Sequence, residues 1–261
     1  MQNLKVTLVQ ATQEWEDKAA NLSHFSTLLD GIQDDTDLIV LPEMFHTGFS
    51  MNPSALAEQM DNSQAMDWLS DAAARKNAAI YTSFIAEENG NYYNRGIFML
   101  PSGEFHLYDK RKLFSLAGED EIFSAGSKET VILYKEWKIQ LQVCYDLRFP
   151  EISRNRLDAN QMPAYDVILY VANWPERRSA HWKALLTARA IENQCYVVGV
   201  NRVGVDGNDL VYSGDSRVLD ALGDGIGMLE SGSETIMTLE LQRKELTSVR
   251  EKLSFLKDIK C

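Results

Sequence analysis

Leu38-Ile39-Val40-Leu41-Pro42-Glu43 is a continuous apolar run stopped by a proline and a carboxylate. A strand with one wet face alternates polar and apolar residues, so a run with no polar position predicts a strand covered on both faces. Its neighbours place it. Upstream, Lys5 to Gln10 reads as a first strand, with Val6, Leu8 and Val9. Asn21 to Ile32 reads as a helix, because Leu22, Phe25, Leu28, Leu29 and Ile32 recur at three- and four-residue steps. Gly31 stands where a glycine can end that helix. Downstream, Ala65, Met66, Leu69, Ala72 and Ala73 form a second helical stripe, and a meander follows. It runs Ala79 to Ala86, a hairpin signal at Glu88-Asn89-Gly90, Tyr92 to Leu100, a turn at Pro101-Ser102-Gly103, and Glu104 to Lys110.

The same order then returns. Lys138 to Val143 and Asp166 to Ala172 read as strands, Ser179 to Gln194 as a helix built on Trp182, Leu185, Leu186 and Ala190, and Cys195 to Asn201 as a strand. Turn chemistry at Asp206-Gly207-Asn208, Gly223-Asp224-Gly225 and Ser231-Gly232-Ser233 separates further strands, and Gln242 to Lys257 is predicted as a C-terminal helix. Each half can supply one sheet and its covering helices. Strand–helix alternations are too few for an eightfold barrel, so a layered α/β sandwich is predicted.

Composition narrows the function. The 261 residues are 45% hydrophobic, with no stretch rich enough in Pro, Gly or Ser to read as a linker, which favours one domain. A formal net charge of −12 disfavours nucleic acid and anionic membranes as partners. It leaves room for an anionic small substrate, since local arginines can reverse the sign inside one pocket. The N-terminus lacks the basic segment, long apolar stretch and cleavage site of a signal peptide, and no apolar run approaches the roughly 20 residues that span a bilayer. Cys144, Cys195 and Cys261, an odd and sparse set, point to free thiols in a reducing compartment, the cytoplasm.

Reactive groups in layered α/β proteins gather beyond the carboxyl ends of strands. Three ends carry suitable groups: Leu38 to Leu41 delivers Glu43, Phe105 to Tyr108 delivers Lys110, and Ile139 to Val143 delivers Cys144. Their combination suits attack on an amide. A carboxylate can take the thiol proton as attack begins and hand it to departing ammonia. An ammonium can stabilise thiolate and the tetrahedral oxyanion. Each residue also has a structural reading: a cysteine at a strand end can be a small buried hydrophobe, Glu43 can cap the following helix, and Lys110 can belong to a solvated run with Arg111 and Lys112.

The segments Leu41-Pro42-Glu43-Met44-Phe45, Tyr108-Asp109-Lys110-Arg111-Lys112-Leu113-Phe114 and Cys144-Tyr145-Asp146-Leu147-Arg148-Phe149-Pro150-Glu151 resemble, in order and separation, the three signature blocks of the nitrilase (carbon–nitrogen hydrolase) superfamily. The likeness runs from about Leu4 to about Phe255. Asn173-Trp174-Pro175-Glu176-Arg177-Arg178, Ala188 to Tyr196 and Tyr212-Ser213-Gly214-Asp215-Ser216 resemble its bacterial omega-amidase branch, which hydrolyses the terminal amide of 2-oxo acids such as 2-oxoglutaramate. The resemblance implies a single domain over residues 1–261, folded as a four-layer α-β-β-α sandwich. It implies a homodimer with no metal or organic cofactor. It makes Glu43 the general base, Lys110 the oxyanion-stabilising lysine, Cys144 the nucleophile and the Tyr145 N–H a second oxyanion donor. Glu119 matches the second glutamate that orients the site, with Glu121 as the alternative. Lys112 stands where many members carry histidine.

Arg148, Arg177 and Arg178, beside Trp174, are the candidates for holding a substrate carboxylate, and salt bridges or surface charge are the alternative for each. His24, His46, His106 and His181 show no metal-ligand spacing, although His46 is near enough to Glu43 to line the pocket. There is no G-x-S-x-G elbow. Gly223 to Gly227 reads as a turn, Cys195 as core and Cys261 as a mobile terminal thiol. The leading expectation is an amidase for 2-oxo acid amides or a sulfur-containing analogue. The alternatives are another nitrilase-type amidase or carbamoylase, and an idle binding or scaffold protein that kept the fold.

Overall fold

The computed structural model describes residues 2–259. Cys261 lies outside them. The first half runs β1 (Leu4–Gln10), α1 (Lys18–Asp30), β2 (Leu38–Val40), the single turn α2 (Pro53–Leu56), the short β3 (Glu58–Gln59), α3 (Gln64–Lys76), β4 (Ala79–Glu88), β5 (Asn91–Met99), β6 (Phe105–Asp109) and the turn α4 (Glu119–Ile122). The second runs β7 (Val131–Tyr134), β8 (Trp137–Val143), β9 (Val167–Ala172), α5 (Ser179–Asn193), β10 (Tyr196–Asn201), β11 (Val203–Val205), β12 (Val211–Ser213), β13 (Arg217–Leu219), β14 (Gly225–Met228), β15 (Thr235–Leu241) and α6 (Arg243–Lys252).

One sheet has the order β15-β1-β2-β4-β5-β6 and the other β14-β13-β10-β9-β8-β7. The central pairs β1–β2, β2–β4, β8–β9 and β9–β10 are parallel, and the flanking pairs are antiparallel. The sheets lie face to face, β1 on β10, β4 on β9 and β5 on β8. These layers account for the unbroken apolar run at β2. Leu38 and Val40 enter the inter-sheet core with Leu141, Val143 and Leu169. Ile39 and Leu41 turn outward onto Phe25 and Leu29 of α1 and Leu69 and Ala72 of α3. Each such side chain, fully buried, contributes roughly 1.5–3 kcal/mol. Trp182, Leu186 and Ala190 of α5 cover the outer face of the second sheet. The result is the expected four-layer α-β-β-α sandwich. No helix among the described residues is long and apolar enough to cross a membrane.

Boundaries differ from expectation where side chains intervene. Helix α1 begins at Lys18, earlier than Asn21, because the Asp17 carboxylate accepts the Ala20 N–H as an N-cap. The hairpin between β4 and β5 turns on Asn89 and Gly90, both at positive φ (52° and 75°), as its sequence requires. The C-terminal helix stops at Lys252 rather than Lys257. Gln194 draws the chain out of helix there, donating to the Leu253 carbonyl and accepting the Leu256 N–H.

The parallel centre matters most for function. β8 and β9 run parallel in one sheet, as β2, β4 and β6 do in the other, and the hydrogen bond from the Asn173 N–H, just past β9, to Glu43, just past β2, brings their carboxyl ends to one end of the sandwich.

Candidate active site

Glu43, Lys110 and Glu119 meet at that end, each at most 1% exposed. The Lys110 Nζ donates to Glu43 Oε1 at 3.0 Å and to both Glu119 oxygens at 2.9 Å, and it lies 5.2 Å from the centre of the Phe49 ring. One buried cation between two carboxylates is not neutral, and the surplus is held by further donors. Asn94 Nδ2 donates to Glu43 Oε1 at 2.8 Å and to Glu119 Oε1 at 3.2 Å. The Asn173 N–H donates to Glu43 Oε2 at 2.7 Å, and the Phe114 N–H to Glu119 Oε2 at 2.6 Å. Burial by itself would lower the Lys110 pKa; Glu119 and then Glu43 reverse this and hold it well above the ordinary lysine range, so it stays protonated.

Backbone conformation aims these groups. Met44, directly after Glu43, and Cys144 both have left-handed φ (44° and 45°), which costs a residue other than glycine about 1–3 kcal/mol. The neighbouring structure holds them there. Gln13 Nε2 donates to the carbonyls of Glu43 and Met44, and Asn173 Nδ2 donates to the Glu43 carbonyl. Cys144 opens a 3₁₀ turn, Cys144–Arg148, that leaves β8. The first N–H groups of such a turn, Tyr145 among them, have no carbonyl partner within it.

Lys110 does not hold the resting thiol as a thiolate. Burial, and next the Glu43 carboxylate, push the Cys144 thiol well above its ordinary range, and Lys110 offsets only part of this. The reason is visible in the contacts: the lysine's hydrogen bonds go to Glu43 and Glu119. The thiol rests protonated; its hydrogen bond runs to the Asn173 carbonyl at 4.0 Å, and the Glu43 carboxylate acts on it through its charge.

Above this floor opens a cleft of about 580 Å³. Its walls include Phe49, Phe114, Tyr145, Asn173, Trp174 and Tyr212, together with Arg148, Arg177 and Arg178. The Arg148 guanidinium stacks 4.6 Å over Trp174 and touches His181; that of Arg178 lies 5.2 Å over Phe114. Among the described residues none of these three arginines pairs with a carboxylate. Desolvation, and then the charges of Arg177 and Arg148, lower the Arg178 pKa. Trp174 gives its indole N–H to the Arg178 carbonyl at 2.8 Å, so it presents a ring face rather than a donor.

Other expectations sort cleanly. Glu119 is in the cluster, whereas Glu121 is exposed. Lys112 pairs with Glu151 at 3.1 Å and lies over Phe149, outside the cleft lining. His46 is fully buried, stacked on Phe45 and bonded to Glu58 at 3.0 Å, and does not line the cleft. Cys195 is core. Asn94, the side chain of Asn173, Gln13, Phe49 and Tyr212 escaped the sequence reading. Asn94 offered a signal: an amide inside the strand Tyr92 to Leu100, which proves to be buried.

Comparison with known proteins agrees along the whole chain. Residues 5–251 match the family model described as carbon-nitrogen hydrolase. The chain is 45% identical to the omega-amidase YafV of Yersinia enterocolitica over 97% of this chain and 95% of that one. It is 34% identical to the 2-oxoglutaramate amidase of Bacillus subtilis (strain 168) over 86% of this chain and 85% of that one. The crystal structure of a CN-hydrolase superfamily protein from Xanthomonas campestris, carrying an arsenic adduct in its active site, matches with a TM-score of 0.97 and 39% identity, covering 100% of this chain and 98% of that one. Matched in sequence and in fold over nearly its full length, the chain belongs to the carbon–nitrogen hydrolase (nitrilase) superfamily, with omega-amidase-like relatives, and is a hydrolase acting on amides.

Proposed function

We propose that the chain is a cysteine-dependent amidase for short acid amides whose far end carries a carboxylate, such as 2-oxoglutaramate or a sulfur-containing analogue. The observation that carries this reading is the joining of two features in one cleft. Its floor holds Cys144 beside the buried Glu43–Lys110–Glu119 network, and its wall offers three arginines that have no carboxylate partner among the described residues. The names of the relatives, omega-amidase and 2-oxoglutaramate amidase, support the same substrate class.

Cys144 Sγ attacks the amide carbonyl carbon while its proton passes to Glu43, so no free thiolate is needed. The oxyanion is met by the Lys110 ammonium and the Tyr145 N–H. As the tetrahedral adduct collapses, the C–N bond breaks, Glu43 returns the proton to the leaving nitrogen, and ammonia departs from a thioester. Water then attacks the thioester with Glu43 as base, releasing the acid and restoring the thiol. Glu119 touches neither thiol nor substrate in this scheme; it orients Lys110. Trp174 gives the acyl chain an apolar face, and Arg148, Arg177 and Arg178 hold the distant carboxylate.

The reading includes a cytoplasmic homodimer, on the free thiols of Cys144 and Cys195 and on the family resemblance; light scattering tests the dimer. Ammonia release from a panel of small amides, with Cys144→Ala beside the unaltered protein, tests the activity. The expected result is strong preference for 2-oxoglutaramate over its carboxyl ester, and no turnover by Cys144→Ala. Equal kcat/KM for acid and ester removes the carboxylate reading and leaves a general amidase.

A further inference from the structure

Asp146 is fully buried two residues beyond Cys144 and takes no part in the proton transfers of the amidase cycle. Its carboxylate collects three donors. Oδ2 accepts the Tyr108 hydroxyl at 2.8 Å and the Val143 N–H at 3.0 Å, and Oδ1 accepts the Lys112 N–H at 2.8 Å. Tyr108 and Lys112 bracket Lys110 in the chain, and Val143 precedes Cys144. One carboxylate therefore bonds to the chain on both sides of the lysine and to the turn that carries the thiol. Sheet pairing cannot do this, because β6 and β8 lie in different sheets. The Tyr81 hydroxyl, donating to the Gln142 carbonyl at 2.9 Å, adds a tie from the first sheet to the end of β8.

We propose that Asp146 is a positioning residue that sets the Cys144 thiol against Lys110 across the two sheets. The proposal rests on the reading of Cys144 as nucleophile and Lys110 as oxyanion donor. An amide cannot replace the acid. All three partners donate, so the NH₂ of asparagine must face at least one donor in either orientation. Protonating Asp146 removes acceptor capacity in the same way.

Burial raises its pKa to about 6, against the lowering effect of its hydrogen bonds and of Lys110. The titratable groups facing it are Tyr108 and Lys110 from the β6 end, Tyr81 from β4 and Tyr170 from β9. The phenols are pushed up by burial and Lys110 is held protonated, so of these groups Asp146 changes charge near pH 6. The clamp is whole above that pH and loosens below it.

The experiment measures kcat and KM across pH 5–8 for the unaltered protein, Asp146→Asn, Tyr108→Phe and Cys144→Ala on one amide substrate. Misplacing reacting groups by about 1 Å can cost about 10²-fold, and Asp146→Asn is expected to lose about that much kcat with KM little changed and without the limb near pH 6. Tyr108→Phe keeps the acid and removes one donor. It is expected to lose about fivefold in kcat, the weight of one net hydrogen bond, and to move the limb to higher pH. A merely structural residue would not move that limb. Unchanged kcat and limb in Tyr108→Phe overturn the clamp even where Asp146→Asn does not fold. Unchanged kcat or a retained limb in a folded Asp146→Asn, over a dead Cys144→Ala, overturns the clamp alone. Turnover by Cys144→Ala overturns the nucleophile assignment and the clamp together.

Discussion

The two ends of the sandwich each hold a buried charge cluster, built in opposite senses. At the carboxyl ends of the parallel strands, one lysine serves two carboxylates, Glu43 and Glu119, beside a protonated thiol. At the amino ends of β8, β9 and β10, one carboxylate, Asp166, serves two arginines, Arg243 and Arg250, each at 2.7 Å. The second cluster also lines a cavity, of about 540 Å³, but it is closed in its hydrogen bonding: Asp166 also accepts the Lys138 N–H, Arg250 donates to the carbonyls of Gln194 and Tyr165, and Arg243 donates to the Glu136 carbonyl and lies 3.7 Å over Trp137. The first keeps a protonated thiol beside a carboxylate at the floor of its cleft. A cluster in which every group has its partners can only hold the chain together. One that keeps a movable proton can do chemistry.

The contrast fails most severely if the open cluster proves dispensable. Cys144→Ala is expected to abolish turnover while leaving the unfolding midpoint nearly unchanged, since one sulfur is lost and no charge is stranded. Glu43→Gln and Lys110→Met are each expected to lower kcat by at least about 10²–10³, yet they should differ in stability. Lys110→Met strands two buried carboxylates and is expected to destabilise by about 3–5 kcal/mol. Glu43→Gln keeps Lys110 paired with Glu119 and should be milder. Denaturant unfolding beside steady-state kinetics tests both claims, and equal stability loss in the two would mean that the lysine is not the hub of the cluster.

The two ends were unequally legible in the sequence. Glu43, Lys110 and Cys144 each stand just past a strand, but each also had a structural reading, and what set the three apart was the resemblance of their segments to the superfamily's signature blocks. Glu119 could not be separated from Glu121 until the short turn α4 fixed which one faces inward. Asp146 and Asn94 sat inside segments that were read for other reasons; what they touch lies on other strands, and no local pattern encodes it. The Asp166 cluster was invisible for the same reason. Its arginines lie 77 and 84 residues from the carboxylate, and Gln194, not a sequence signal, ends α6 at Lys252. Hydrophobic periodicity reports on layers, whereas polar networks report on tertiary neighbours.

A smaller effect is expected at the wall of the open end. Replacing Arg148, Arg177 and Arg178 singly by Gln should leave kcat for a neutral amide unchanged. For an amide with a distant carboxylate, at least one replacement should lower kcat/KM by about 10- to 100-fold, as expected when a charge-assisted hydrogen bond worth roughly 1.5–3 kcal/mol is lost. Lysine at the sensitive position should rescue poorly, because it lacks the planar fork. Three variants with full kcat/KM for the anionic substrate would mean that these arginines only shape the cleft.

Turnover should respond least at the closed end, and there the expected change is in stability. Burial alone would raise the Asp166 pKa; the hydrogen bonds and charges of Arg243 and Arg250 outweigh it and hold the carboxyl below its ordinary range. A carboxyl depressed in the folded state stabilises the protein above its unfolded pKa, about 3.9, and that contribution is lost as pH falls below about 4 through the folded value. Asp166→Asn is expected to cost about 3 kcal/mol at pH 7, the low end for breaking a buried pair, because the cluster is partly wet. It should also flatten the acid side of the stability profile and leave kcat at 25 °C unchanged. Unfolding free energies at pH 7, 4 and 3, measured for the unaltered protein and for Asp166→Asn, decide it. The difference between the two should shrink as pH falls, since a protonated carboxyl is as uncharged as the amide that replaces it. A constant difference would assign the cost of Asp166→Asn to lost packing rather than to ion pairing. A fall in kcat at pH 7 would couple the two ends, and the division between a holding cluster and a reacting one would fail.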